Sequence, residues 1–148
     1  MYLWSENPGP APQRTTRALI FSLPLPTRRQ ARPISRLRWL KILARLPIQD
    51  NTWLGFGHTV PNDKAFAENT KLSGVILTSA AGFGEEVGEC TLPDGTCVTF
   101  YRMIPIYKEE MNYKIEYGAE ALFDLMEEDQ VDHVLDIQRP NLCSWEVK

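Results

Sequence analysis

The chain has 148 residues, 43% of them apolar and 24% charged, and a net charge of −3. That length suits one domain around a single core, and no apolar run approaches the roughly 18 residues of a membrane span, so one soluble domain is expected. Three cysteines without a CxxC pair argue against a disulfide framework and a structural zinc site.

The charge is unevenly spread. Residues 1–50 carry nine Arg/Lys against two acids, net +7, whereas residues 51–148 carry seven against seventeen, net −10. Residues 5–36 are rich in Pro, Arg, Ser and Thr and contain too little apolar side chain to offset the entropy of ordering them. At most an edge strand is expected at residues 18–23, closed by Pro24 and Pro26. No basic stretch followed by an apolar one opens the chain, which leaves the cytoplasm as the expected location.

From Trp39 a helical pattern begins. Trp39, Leu40, Ile42, Leu43 and Leu46 form the apolar side and Arg38, Lys41 and Arg45 the wet side, with Pro47 expected to end the run. The next stretch, residues 51–77, reads as a strand on Trp53, Leu54 and Phe56, an ordered loop begun by Pro61, Asn62 and Asp63, and a strand on Val75, Ile76 and Leu77. Residues 90–92 and 96–104 read as a hairpin around Pro93, Asp94 and Gly95, since Asp-Gly supplies the positive φ of a tight turn. Neither a two-residue nor a three-residue loop sets Cys90 opposite Cys97, so free, buried or half-buried thiols are expected. The β-branched and aromatic run at residues 98–104 reads as a central strand closed by Pro105. Residues 107–129 give the longest helical signal, with a break expected at Gly118, and residues 131–137 a last short strand.

Catalytic patterns are scarce. There is no GxSxG elbow, HExxH helix or Walker-type loop, and Gly55-Phe56-Gly57 lacks the third glycine of a dinucleotide fingerprint. Of the two histidines, His58 suits a hydrogen-bonded role at a strand end and His133 an exposed strand end. Glu109 and Glu110 read as part of a solvated helix face, because adjacent helical residues do not face each other. Trp53, Phe56 and Phe66 read as core before binding patch. Two functional alternatives remain open: a small hydrolase using His58, and nucleic-acid binding through the arginines of residues 14–45.

Five blocks, WLKILARLP, TWLGFGHTVPN, FAENTKLSGVIL, FYRMIPIYKEEMNYKIEYGAEALFDLM and VLDIQRPNLC, together resemble the suppressor of fused family in its bacterial single-domain branch, over about residues 38–143. The resemblance implies an α+β fold, a mixed β-sheet flanked by helices. It also implies a non-enzymatic protein-interaction module without cofactor or metal, whose protein partner is a toxin or a regulator rather than nucleic acid or membrane. On that footing Trp53, His58, Thr59 and Asn69 around the central loop, and Tyr101 on the following hairpin, are the expected partner-binding residues. Residues 1–37 depart from the family pattern and have the composition of an out-of-frame reading, with a naturally shortened branch as the alternative. The expected organisation is thus an irregular segment at residues 1–37, the domain at 38–143 and a tail at 144–148; an out-of-frame segment would leave the sheet without its N-terminal strands.

Overall fold

The computed structural model describes residues 16–20, 34–62, 64–66, 69–80, 87–131 and 136–144, with the backbone alone at 16–20 and 34–37. The elements run β1 (Thr16–Ile20), α1 (Ile34–Gln49), β2 (Thr59–Pro61), β3 (Gly74–Ser79), β4 (Glu89–Thr91), β5 (Cys97–Ile106), α2 (Lys108–Tyr117) and α3 (Ala119–Glu128). The sheet is mixed, in the order β1-β5-β3-β2, with β4 also paired to β5. β1 runs parallel to β5, while β2, β3 and β4 pair antiparallel. This is the α+β sandwich expected from the sequence.

Alternation along the two central strands sorts the side chains into two cores. Val75 and Leu77 of β3 and Tyr101 and Met103 of β5 meet Trp39, Leu43 and Leu46 of α1 on one face. Ile76 and Ile106 meet Met111 of α2 and Leu122 and Met126 of α3 on the other. Leu43, Leu77, Ile76 and Leu122 are completely buried, so truncating any of them to alanine would cost about 2–5 kcal/mol. The expected apolar stripe of α1 is therefore the stripe that packs.

Several boundaries differ from the sequence reading. The strand expected on Trp53, Leu54 and Phe56 lies instead at β2, three residues later. Residues 52–55 are irregular, and their apolar character serves packing, Leu54 being buried in the α1 core. Pro47 sits inside the last turn of α1, which continues to Gln49. A proline there forfeits one hydrogen bond near a helix end that is already short of partners. Pro105 likewise lies within β5, opposite Val75. Its carbonyl is taken by an arginine side chain, and since the N–H and carbonyl of one residue point the same way in an antiparallel pair, its missing N–H faces away from β3 and breaks no β3–β5 bond.

Other expectations hold. The N-terminal strand is found at Thr16–Ile20, at the end of the sheet and two residues earlier than anticipated. In the β4–β5 hairpin Thr91 pairs with Cys97 and Cys90 with Val98, and Gly95 adopts φ +81°. The cysteines are thus staggered, although Cys90 is exposed and not half-buried. Gly118 separates α2 from α3 with φ 95° and ψ 166°, a conformation essentially confined to glycine. The last expected strand falls largely on residues 132–135, which lie outside the described residues, as does His133.

Candidate partner-binding site

Strand β2 is the end strand of the sheet on the side away from β1, and the segment leading into it is tightly specified. Gly57 adopts φ +74°, and a Cβ placed on it would lie 3.0 Å from the Cβ of Ala119, so the backbone passes directly against the start of α3. The Gly57 N–H donates to the Leu77 carbonyl at 2.7 Å and the Leu77 N–H donates to the His58 carbonyl at 2.9 Å, which extends the β2–β3 ladder back through the turn. His58 closes that turn by donating its own N–H to the Gly55 carbonyl at 3.1 Å.

These constraints bring three of the expected site residues together. The rings of Trp53 and His58 lie 4.4 Å apart, inclined by 54°, and Thr59 follows as the first residue of β2. All three are half-buried. His58 and Asn62 turn backbone groups toward β3, so by alternation the groups of Thr59 and Pro61 point to the open side. Pro61 has no N–H to offer there, which blunts β2 as a template for strand addition.

Asn69 is exposed in the connection from β2 to β3, a loop tied down by Phe66. Phe66 stacks on Trp39 at 4.9 Å with rings nearly parallel, and its N–H donates to the Leu72 carbonyl at 2.9 Å. Tyr101, by contrast, is only 8% exposed and belongs to the core beneath α1. Phe56 points outward, 53% exposed, with its ring 5.1 Å from that of Phe123.

A second polar centre escaped the sequence reading. Glu110, expected on a solvated face, is wholly buried, and Arg139 beside it is 8% exposed. Arg139 Nη1 donates to Glu110 Oε1 at 2.6 Å and Nη2 to Oε2 at 2.5 Å, a bidentate fork. The same carboxylate accepts the N–H of Tyr107, as the third residue of a helix capping box does, and the N–H of Leu142 at 3.0 Å. Arg139 also donates to the Pro105 and Pro140 carbonyls, and the Tyr107 hydroxyl donates to the Arg139 carbonyl at 2.6 Å. Burial pushes the Tyr107 hydroxyl above its ordinary pKa, against the opposing pull of the Arg139 cation.

This centre binds the chain to itself. Ile137 enters the α1 core and Leu142 and Cys143 the α2–α3 core, so the segment between them passes from one face of the sheet to the other. Arg139, midway, holds it at the end of β5. A wholly buried carboxylate whose oxygens already accept from four donors is a structural anchor. Among the described residues no group of three or more His, Cys, Asp or Glu could hold a metal ion, and no helix is long and apolar enough to cross a membrane.

Comparison with known proteins agrees with this architecture. A structure described as the Sufu–Fu complex superposes with a TM-score of 0.62 at 15% identity, over 82% of this chain and 50% of that one. Drosophila Suppressor of Fused gives 0.61 at 14% identity, over 82% of this chain and 28% of its own. A homologue from Neisseria gonorrhoeae FA 1090 gives 0.62 at 20% identity, over 76% of this chain and 58% of its own. The chain thus spans between 28% and 58% of the length of these three. No curated protein matches it. The model of the family Suppressor of fused protein (SUFU) matches residues 5–140, reaching well ahead of the blocks at residues 38–143, and the chain belongs to that family.

Proposed function

We propose that this protein is a non-enzymatic interaction module that sequesters or neutralises a protein partner, a toxin or a regulator, in the cytoplasm. The observation that carries this reading is the gathering of Trp53, His58 and Thr59 at the end strand of the sheet. A half-buried indole and imidazole in ring contact offer a rigid, amphipathic surface at little entropic cost, as in the centres of protein interfaces. Membership of a family in which one relative's structure is described as the Sufu–Fu complex supports it further. Asn69, exposed in the β2–β3 connection, supplies an adaptable polar contact. The opposite edge, β1, whose outer side no strand pairs among the described residues and whose five residues contain no proline, offers an extended partner segment a second place to add as a strand.

Substituting His58 by Ala tests the reading. The module loses partner capture, with or without some stability. A hydrolase acting through His58 would instead lose turnover on generic ester and peptide substrates while its melting curve stayed in place, and that result would overturn the proposal.

A further inference from the structure

Helices α1 and α3 carry opposite charge on their exposed sides, and they pack on opposite faces of the sheet. On α1 the exposed residues Arg38, Lys41, Arg45 and Ile48 recur at helical spacing, forming one stripe on the side away from Trp39, Leu43 and Leu46. On α3 the exposed residues Glu120, Asp124 and Glu127 form a second stripe, and the helix contains no Lys or Arg. Like charges at these spacings repel, so each stripe is unfavourable in isolation. Among the described residues none of the six charged groups makes an ion pair.

Each stripe also adjoins exposed apolar surface. Ile48, 86% exposed, continues the basic one. Phe123 lies three residues after Glu120 and four before Glu127, hence between them on the helix surface, with the half-exposed ring of Phe56 against it. The acidic stripe is therefore the rim of an aromatic patch.

We propose that this surface docks a second copy of the chain, head to tail. Arg38, Lys41 and Arg45 of one copy meet Glu120, Asp124 and Glu127 of the next, and Ile48 reaches the Phe56 and Phe123 pair. Both stripes extend about 10 Å along their helix axes, so the charges match in number, sign and span. Within one chain the sheet separates them, and only a neighbouring copy brings them together. Such a contact joins two different surfaces, so it leaves a free α1 at one end and a free α3 at the other, and assembly grows with concentration. Exposed ion pairs are individually weak, so the association is transient and sensitive to salt. It rests on neither Trp53 nor His58 and stands apart from the function proposed above.

Sedimentation velocity over a concentration series, in about 0.01 M and about 1 M salt, where screening lengths are about 30 and 3 Å, tests it. Wild type shows concentration-dependent oligomers at low salt that dissociate at high salt. The variants Lys41→Glu/Arg45→Glu and Asp124→Lys/Glu127→Lys each weaken association at least tenfold while keeping their melting curves. Mixing the two variants restores it, because each then presents the other's complement, and a folding defect would not be rescued by mixing. A wild type that stays monomeric at low salt overturns the proposal, even where it binds a basic amphipathic peptide. So does association that survives both charge reversals.

Discussion

Arg139 and Glu110, 29 residues apart in the chain, are joined by two parallel hydrogen bonds in a buried pair that also takes up the backbone groups of Tyr107, Leu142 and Pro105. The pair fixes where the C-terminal segment crosses the end of β5. It closes both cores at once, because the residues on either side of Arg139 enter different faces of the sheet.

Replacing Arg139 by Met leaves the Glu110 carboxylate buried without its cation and is expected to destabilise the fold by about 3–5 kcal/mol. The double replacement Glu110→Met/Arg139→Met removes both charges and costs less than the sum of the two single changes, although stranded backbone groups keep it below wild type. Urea unfolding of the four proteins in the cycle measures the coupling. Additive costs would show that the two groups are held independently.

Two glycines with positive φ separate strain from crowding. Gly118→Ala meets no atom within 4 Å and carries only the backbone cost of φ 95°, about 1–3 kcal/mol. Gly57→Ala adds to its own positive-φ strain a Cβ at 3.0 Å from the Ala119 Cβ, so its melting temperature falls, and Ala119→Gly should cost less in that background than in wild type. An equal cost of Ala119→Gly in both backgrounds would mean that the close approach to α3 contributes nothing.

In the β4–β5 turn the Asp94 carboxylate accepts the Thr96 N–H at 2.9 Å, and this hydrogen bonding holds its pKa below the ordinary 3.8. A depressed folded-state value stabilises the fold above the unfolded pKa, and that contribution disappears as pH falls through the folded value. Asp94→Ala should therefore be less stable than wild type at neutral pH, and the gap should close below about pH 3.8. Thermal melts at graded pH check the sign; a gap that widens in acid contradicts it.

The three thiols should react in order of access. Cys90 is exposed and is alkylated first. Cys97 follows, because partial burial, then the Glu89 carboxylate 3.7 Å away, raise its pKa and lower its thiolate fraction. Cys143, completely buried in the α2–α3 core, reacts only on unfolding. Timed iodoacetamide labelling read by mass spectrometry gives the order directly.

What could be read from the sequence was local. The stripe of Trp39, Leu43 and Leu46, the Asp94-Gly95 turn and the Gly118 break each depend on residues within one or two turns of chain, and each appears in the fold. Trp53, Leu54 and Phe56 misled because an irregular segment pressed onto a core has a strand's composition without its pairing. The prolines at 47 and 105 misled because a proline does not always stop an element: Pro47 forfeits one bond in a last turn, and Pro105 turns its nitrogen away from β3. Glu110 was opaque for a different reason: its partner is remote in sequence, and only the fold brings Arg139 to it. Tyr101 could be placed on a central strand, but which face that strand turns toward α1 was not legible without the register.

Partner capture by the intact protein is the decisive measurement. Wild type and the variant Trp53→Ala/Asn69→Ala, immobilised at equal density, are exposed to lysate of the source cells, and retained proteins are identified by quantitative mass spectrometry alongside melting curves of both forms. At least one protein is expected to be held by wild type and reduced tenfold or more by the variant, with the variant still cooperatively folded. Undiminished retention by the folded variant, or nothing specifically held by wild type, would contradict the proposed function.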